Sequence, residues 1–498
     1  MKKTTKTLII AVSAVVLLVG VFLLVYFLLP QQEDPKEKTS DEYASETESE
    51  VPAEYPLISH VPADIETIEV DNETGKYTLK SETPTTEVTA SDGTTSLATE
   101  ATVYTLVGYE DMELLSGSPD TLANDAASVT GSKIVDDGSH KSDFGFDSPR
   151  ATVTVTYKGG ETATIIVGDD APDNRGAYIM VKGDDNVYLT LSDAVDGFLM
   201  GAMGMISTEI GSAAEDDANN VFTKMVFGGE LFGGDVKFEY ANSEDFSETY
   251  RIVSPDNVLA DEETVSYMMN NVRNLTAKEV VSVGAKDEQI KEYGLEKPYV
   301  TVEAEYPDIK VSYKASKPDG EGVFYLLSDG VIYKMSTDTV PWVLNDYNAC
   351  ITKNVLRPKY GSVEGIEVEI GKDKYDFDIK TETVPSDDTD QTVTKTNVTC
   401  NGKAIDEDKF NTFYQNIVSA ERSGGVSDVS DGGKALLKVT YRFTDGSSGS
   451  AEYFAGENRK CPVLVNGSFG TQAYETYVTK IVEDTPVIAS NEAVKSIY

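Results

Sequence analysis

The sequence predicts an α+β chain in which an N-terminal transmembrane helix precedes three repeated modules of antiparallel strands with short helices. Three observations predict it. An uncharged run of 22 residues near the N-terminus is long enough to cross a hydrocarbon core of about 30 Å as a helix. A phrase of one design occurs twice, as DFGFDSPRATVTVTY from Asp143 and as EYGLEKPYVTVEAEY from Glu292. The two copies lie roughly 150 residues apart, the span of one ordinary domain. Around each copy, helical and strand patterns recur in the same order.

The elements follow from the N-terminus. Residues 1–6 carry Lys2, Lys3 and Lys6 and read as a cytoplasmic tail under the positive-inside rule. Residues 7–29 are the expected transmembrane helix, its apolar run starting at Leu8 and ending at Leu29. The run exceeds a signal-peptide core, no A-x-A-like site closes it, and no cysteine lies near it for lipid attachment. The bulk of the chain is therefore expected outside the cytoplasm. Residues 30–57 are an acidic linker, rich in Glu, Asp, Ser, Thr and Pro and too poor in apolar residues to form a core.

Module one is expected over 58–207, module two over 218–353 and a divergent module three over 358–498. Each begins with a strand: IETIEVD, FTKMVFG and VEGIEVEIG. A helix follows, on Leu122, Ala126 and Val129 after Asp120, on Val265, Met268, Met269, Val272 and Leu275 after Asp261, and on Phe410, Phe413, Ile417 and Ala420 after Asp406. Then comes a four-strand meander closed by a short helix, with Asp329-Gly330 and Asp445-Gly446 as hairpin signals. The repeated phrase is a helix stop followed by a strand launch. Gly294 suits the left-handed position that ends a helix, Leu295 the next position, and Ile290 the apolar contact of a Schellman motif. Pro298 keeps the helix from resuming. Gly145 and Pro149 take these roles in the first copy, where Lys141 replaces the apolar contact.

Composition narrows function. The net charge is −43, from 85 acidic and 42 basic residues, which argues against nucleic acid as a partner. Two histidines, His60 and His140, and three dispersed cysteines, Cys350, Cys400 and Cys461, leave no set for zinc or iron–sulfur ligation, although Cys400 and Cys461 are free to pair. No G-x-S-x-G, S-x-x-K, H-E-x-x-H or P-loop occurs, and GGELFGG at Gly228 reads as a hairpin turn. The acidic pairs Asp169-Asp170 and Asp184-Asp185 sit in turns that would suit calcium, but the EF-hand spacing is absent. No cofactor, metal or catalytic residue is expected. Tyr178 and Tyr325 lie on meander strands, as candidate glycan contacts or as cover for a half-buried sheet face.

The module order, the aromatic-Gly-apolar-x-x-Pro phrase and the VFYLLSDGVIYKM hairpin resemble the bacterial domain-of-unknown-function 4340 family, in two clear modules and one divergent one. That resemblance implies a membrane-anchored envelope protein, of a kind often encoded beside ABC-type transport systems, and supplies no catalytic residues. The expectation is a non-enzymatic accessory protein whose partner is a permease or other envelope protein. A glycan-binding or adhesive surface protein and a two-carboxylate cell-wall hydrolase are the alternatives.

Overall fold

Period-two alternation of β-branched and aromatic residues against polar ones builds three large antiparallel sheets in the computed structural model. It describes residues 54–497 apart from 90–94, 173–174, 242, 386–391, 427–428 and 430–433. The sheets have eight, nine and eight strands. All three follow one path. The chain starts on a central strand, runs outward through hairpins to one edge, and crosses by a helix. It then returns on the other side of the starting strand and meanders outward; in sheets one and two the far edge is closed by a strand that precedes the meander, Lys133–Asp136 or Glu279–Val283.

The central pair is Ile65–Asn72 with Ala151–Tyr157 in sheet one, Lys224–Gly228 with Val300–Glu305 in sheet two, and Val363–Ile370 with Leu437–Phe443 in sheet three. Val70 lies opposite Val153, Phe227 opposite Val302, and Val368 opposite Val439, so each pair drives apolar side chains into the core. The crossing helices are Ser118–Ala127, Glu262–Met269 and Glu407–Val418. The segment after each helix pairs with the segment leading into its module: Ser128–Gly131 with Tyr55–Ser59, Asn274–Thr276 with Glu209–Gly211, and Glu421 with Asn354.

The α+β expectation is corrected to a mostly β protein, because strand far outweighs helix among the described residues. The surplus strands are the outward hairpins, such as Gly75–Glu82, Val236–Tyr240, Asp373–Pro385 and Thr392–Cys400. The sequence GKYTLKSE shows why they escape a search for apolar runs: it buries Tyr77, Leu79 and Ser81 on one face and exposes lysines on the other. The expected helix over residues 7–29, with its run from Leu8 to Leu29, lies outside the described residues. Among those described, no helix is long and apolar enough to cross a membrane. The first module helix also begins earlier than its Asp120 suggests. Gly117 turns the chain at φ 87° and Pro119 sits in the first turn, while Val129 belongs to the strand that follows.

Residues Tyr55–Tyr498 form one compact unit with a continuous apolar core that draws on all three sheets. Trp342, Tyr313, Phe227 and Phe238 fill sheet two's share, and Phe377 meets Phe410 and Phe413 of the third helix at 5.4 Å each. Sheet tyrosines tie down carbonyls at the helix ends. The Tyr157 hydroxyl donates to Ala126 O at 2.9 Å, and the Tyr313 hydroxyl to Val272 O at 3.0 Å.

Candidate functional site

The repeated phrase is structural in both copies. The helix Asp287–Glu292 ends with Gly294 at φ 73°; the Gly294 N–H donates to Lys291 O and the Leu295 N–H to Ile290 O. These are the two bonds of a Schellman motif, and Leu295 is fully buried beneath it. Pro298 then precedes the strand Val300–Glu305. In the first copy a shorter 3₁₀ turn, Lys141–Phe144, ends at Gly145 with φ 84° and the same bond pattern, and exposed Pro149 precedes Ala151–Tyr157.

The candidate glycan tyrosines belong to these same motifs. Tyr325 packs on Tyr293 with ring centroids 4.4 Å apart, and Tyr178 meets Phe144 edge-on at 4.8 Å. Tyr293 and Phe144 are the aromatic residues immediately before the two glycines. Each tyrosine is half-buried by the phrase of its own module, which explains the aromatic position in the repeat.

The acidic pairs are spent locally. Asp184 accepts the Tyr188 hydroxyl at 2.6 Å, Asp185 pairs with Lys141 at 3.1 Å, and Asp170 pairs with Arg150. Among the described residues no group of three or more His, Cys, Asp or Glu side chains could hold a metal ion. Cys350, Cys400 and Cys461 are all free and buried. Burial pushes the Cys350 thiol up to about 12 and the Cys400 thiol to about 11, away from the thiolate that reactivity requires.

The polar joints between modules, at residues 211–220 and 357–362, are readable in the sequence, but the arginines that fasten them are not. Each joint is fastened by an arginine that follows a module helix. Buried Arg273 donates from Nε to Ser212 O at 3.0 Å and from Nη1 to Asn219 O at 2.8 Å, gripping the segment between sheets one and two. Its two Nη atoms also hold the Asp308 carboxylate at 2.8 and 2.6 Å, which keeps that carboxyl below its ordinary range. Arg422 does the same work at the second joint without a carboxylate. It donates to Ile351 O, Thr352 O and Gly424 O and to the Thr471 hydroxyl, and lies 5.8 Å from the Phe469 ring centre. Burial depresses its pKa, as expected for a desolvated cation.

A cleft of about 820 Å³ opens beside Arg422, between sheets two and three. Its walls come from residues 241 and 243–259, from the joint at 351–362, and from the turns around Phe443 and Phe469. Phe246 and Phe443 meet edge-on across the joint at 5.6 Å. Arg251, Lys359, Ser447, Ser448 and Asn466 add polar groups. A second cleft, of about 620 Å³, lies at the first joint, between the Thr74–Tyr77 turn, residues 201–208 and the strand Glu279–Val283. Arg251 and Arg422 carry no sequence motif. Their one signal is rarity, since the chain has eight arginines among 498 residues.

Three sheets of one path, fused through fastened joints with a cleft at each, define a tandem-module β protein. The chain belongs to the family described as Domain of unknown function (DUF4340), whose model matches residues 105–224 and 251–438. The first match covers the helix and meander of module one. The second runs from Arg251 across the second joint, including Arg422, to the first strand of the last meander. No curated protein and no solved structure matches the chain.

Proposed function

We propose that this protein is a non-enzymatic accessory component of an envelope complex, held at the membrane through residues 8–29 and presenting its modules outside the cytoplasm to a permease or similar partner. The observation that carries this reading is the position of both clefts at module joints, where each is lined by residues of two neighbouring modules. A partner seated there contacts two modules at once and reads their mutual placement. The sequence supports the location: lysines precede the apolar run, and an acidic segment follows it.

The experiment is affinity purification of the full chain from detergent-solubilised membranes. A permease or its ATPase is expected to co-purify, and to be lost when residues 8–29 are exchanged for an unrelated apolar helix. Recovery of no membrane partner from either chain overturns the transporter role. The non-enzymatic part has its own check. Glu244→Gln combined with Asp445→Asn removes two carboxylates from the larger cleft and is expected to leave peptidoglycan turnover unchanged, whereas loss of turnover would establish the hydrolase instead.

A further inference from the structure

We propose that the cleft between sheets two and three is a binding site for a small organic acid, an apolar body carrying a carboxylate or phosphate head. Charge pairing carries the inference. Acidic residues outnumber basic ones two to one, 85 against 42, so a half-buried arginine should find a carboxylate by default. Five arginines are partly or fully buried. Arg150 pairs with Asp170, Arg273 with Asp308, and Arg442 with Asp376 and Asp378. Among the described residues, Arg251 and Arg422 have no carboxylate within ion-pair distance, and both line this cleft. Leaving a desolvated guanidinium without a counter-charge is costly, and an incoming anion relieves that cost.

Glu244, Asp245 and Asp445 also line the cleft, and two of them are engaged elsewhere. Asp445 accepts the Ser447 N–H at 2.8 Å within its own turn, and buried Asp245 accepts the Ser243 hydroxyl at 3.3 Å. Glu244 is exposed. Arg422 uses four of its five N–H donors on protein oxygens, which fixes it as a rigid positive wall with one donor to spare. Arg251, on the strand Tyr250–Ser254, bonds only the Asn257 side chain, so most of its fork is available. Lys359 adds a third cation at the exposed rim. Phe246, Leu356, Phe443, Val465 and Phe469 also line the cleft and offer apolar surface to the body of a ligand, with Phe469 beside Arg422 itself. A volume of about 820 Å³ lies in the range that encloses small organic ligands.

The test uses the compact unit from Tyr55 to Tyr498 and two fluorescent probes of similar body, anionic 1-anilinonaphthalene-8-sulfonate and neutral N-phenyl-1-naphthylamine. The anionic probe is expected to bind at one saturable site, and Arg251→Gln to weaken it about tenfold while leaving the neutral probe unaffected. Lys359→Gln should give a smaller loss, and far-UV circular dichroism should show both variants folded. Octanoate and octyl phosphate separate the two head groups by which displaces the probe at lower concentration. Inorganic phosphate alone should not displace it. Equal anion affinity in wild type and Arg251→Gln, tighter binding of the neutral probe, or full displacement by inorganic phosphate would each overturn the proposal.

Discussion

Gly145 and Gly294 occupy the same step of the repeat with different surroundings, and the difference is measurable. A side chain at either must adopt φ above 70°, a conformation that costs an L-residue about 1–2 kcal/mol. At Gly294 the nearest atom to an added Cβ is the Ser316 Cβ at 3.6 Å, so strain is the whole cost. At Gly145 the Cβ would sit 2.8 Å from the Asp169 backbone nitrogen and nearer still to its carboxylate. Gly294→Ala should therefore lower stability by about 1–2 kcal/mol, and Gly145→Ala by roughly twice that or more, read from urea midpoints. Asp125 supplies a pH test. Burial, offset in part by the Gly197 N–H, raises its carboxyl to about 6 from 3.8. The folded state then binds the proton more tightly than the unfolded one. The stabilisation is complete below pH 3.8 and is lost as pH rises through about 6. Asp125→Asn keeps an acceptor for Gly197 and should show no such loss, so the melting-temperature difference between variant and wild type should grow in the variant's favour between pH 4 and 7. The helix stop was legible because glycine chemistry is local. The burden on Asp125 was not, because its partner Gly197 lies 72 residues away.

Among the elements, the helices and the joints show where local sequence suffices and where it does not. Asp261 and Asp406 cap their helices by accepting the Thr264 and Lys409 N–H groups, a role readable from three or four residues. Asp329 and Gly330 turn their hairpin at φ 48° and 79°, as their pairing suggests. The outward hairpin strands were hidden because half of each faces water. The fastening of the joints was hidden for another reason: Arg273 grips carbonyls 54 and 61 residues upstream, and no window of sequence joins them. Lysine cannot reproduce that grip, because it lacks the planar fork. Arg273→Lys should cost about 2–4 kcal/mol, from unpaired carbonyls and a weakened Asp308 contact. The measurement is chemical denaturation. A loss under about 0.5 kcal/mol, ordinary for surface substitutions, would show that the segment 212–219 needs no fastening.

For the whole unit the question is whether three sheets with separate paths unfold together. Their apolar side chains form one continuous cluster, and both joints are fastened by hydrogen bonds to backbone, which favours a single transition. The chain carries a probe suited to the question. Trp342 is its only tryptophan, is fully buried, and donates to Asn271 O at 2.7 Å inside module two. Its fluorescence reports that module alone, while far-UV circular dichroism reports all three sheets. In urea the two signals should give coincident midpoints for the unit from Tyr55 to Tyr498. The second joint is the weaker seam, because its cleft is the larger and its arginine lacks the carboxylate that Arg273 has. Arg422→Ala should therefore uncouple module three, splitting the dichroism curve into two steps while the Trp342 transition stays single. Separate midpoints in the wild type would mean that the shared core does not couple the modules. A coincident pair in Arg422→Ala would mean that the apolar contacts across the joint, led by Phe246 and Phe443, hold it without the arginine.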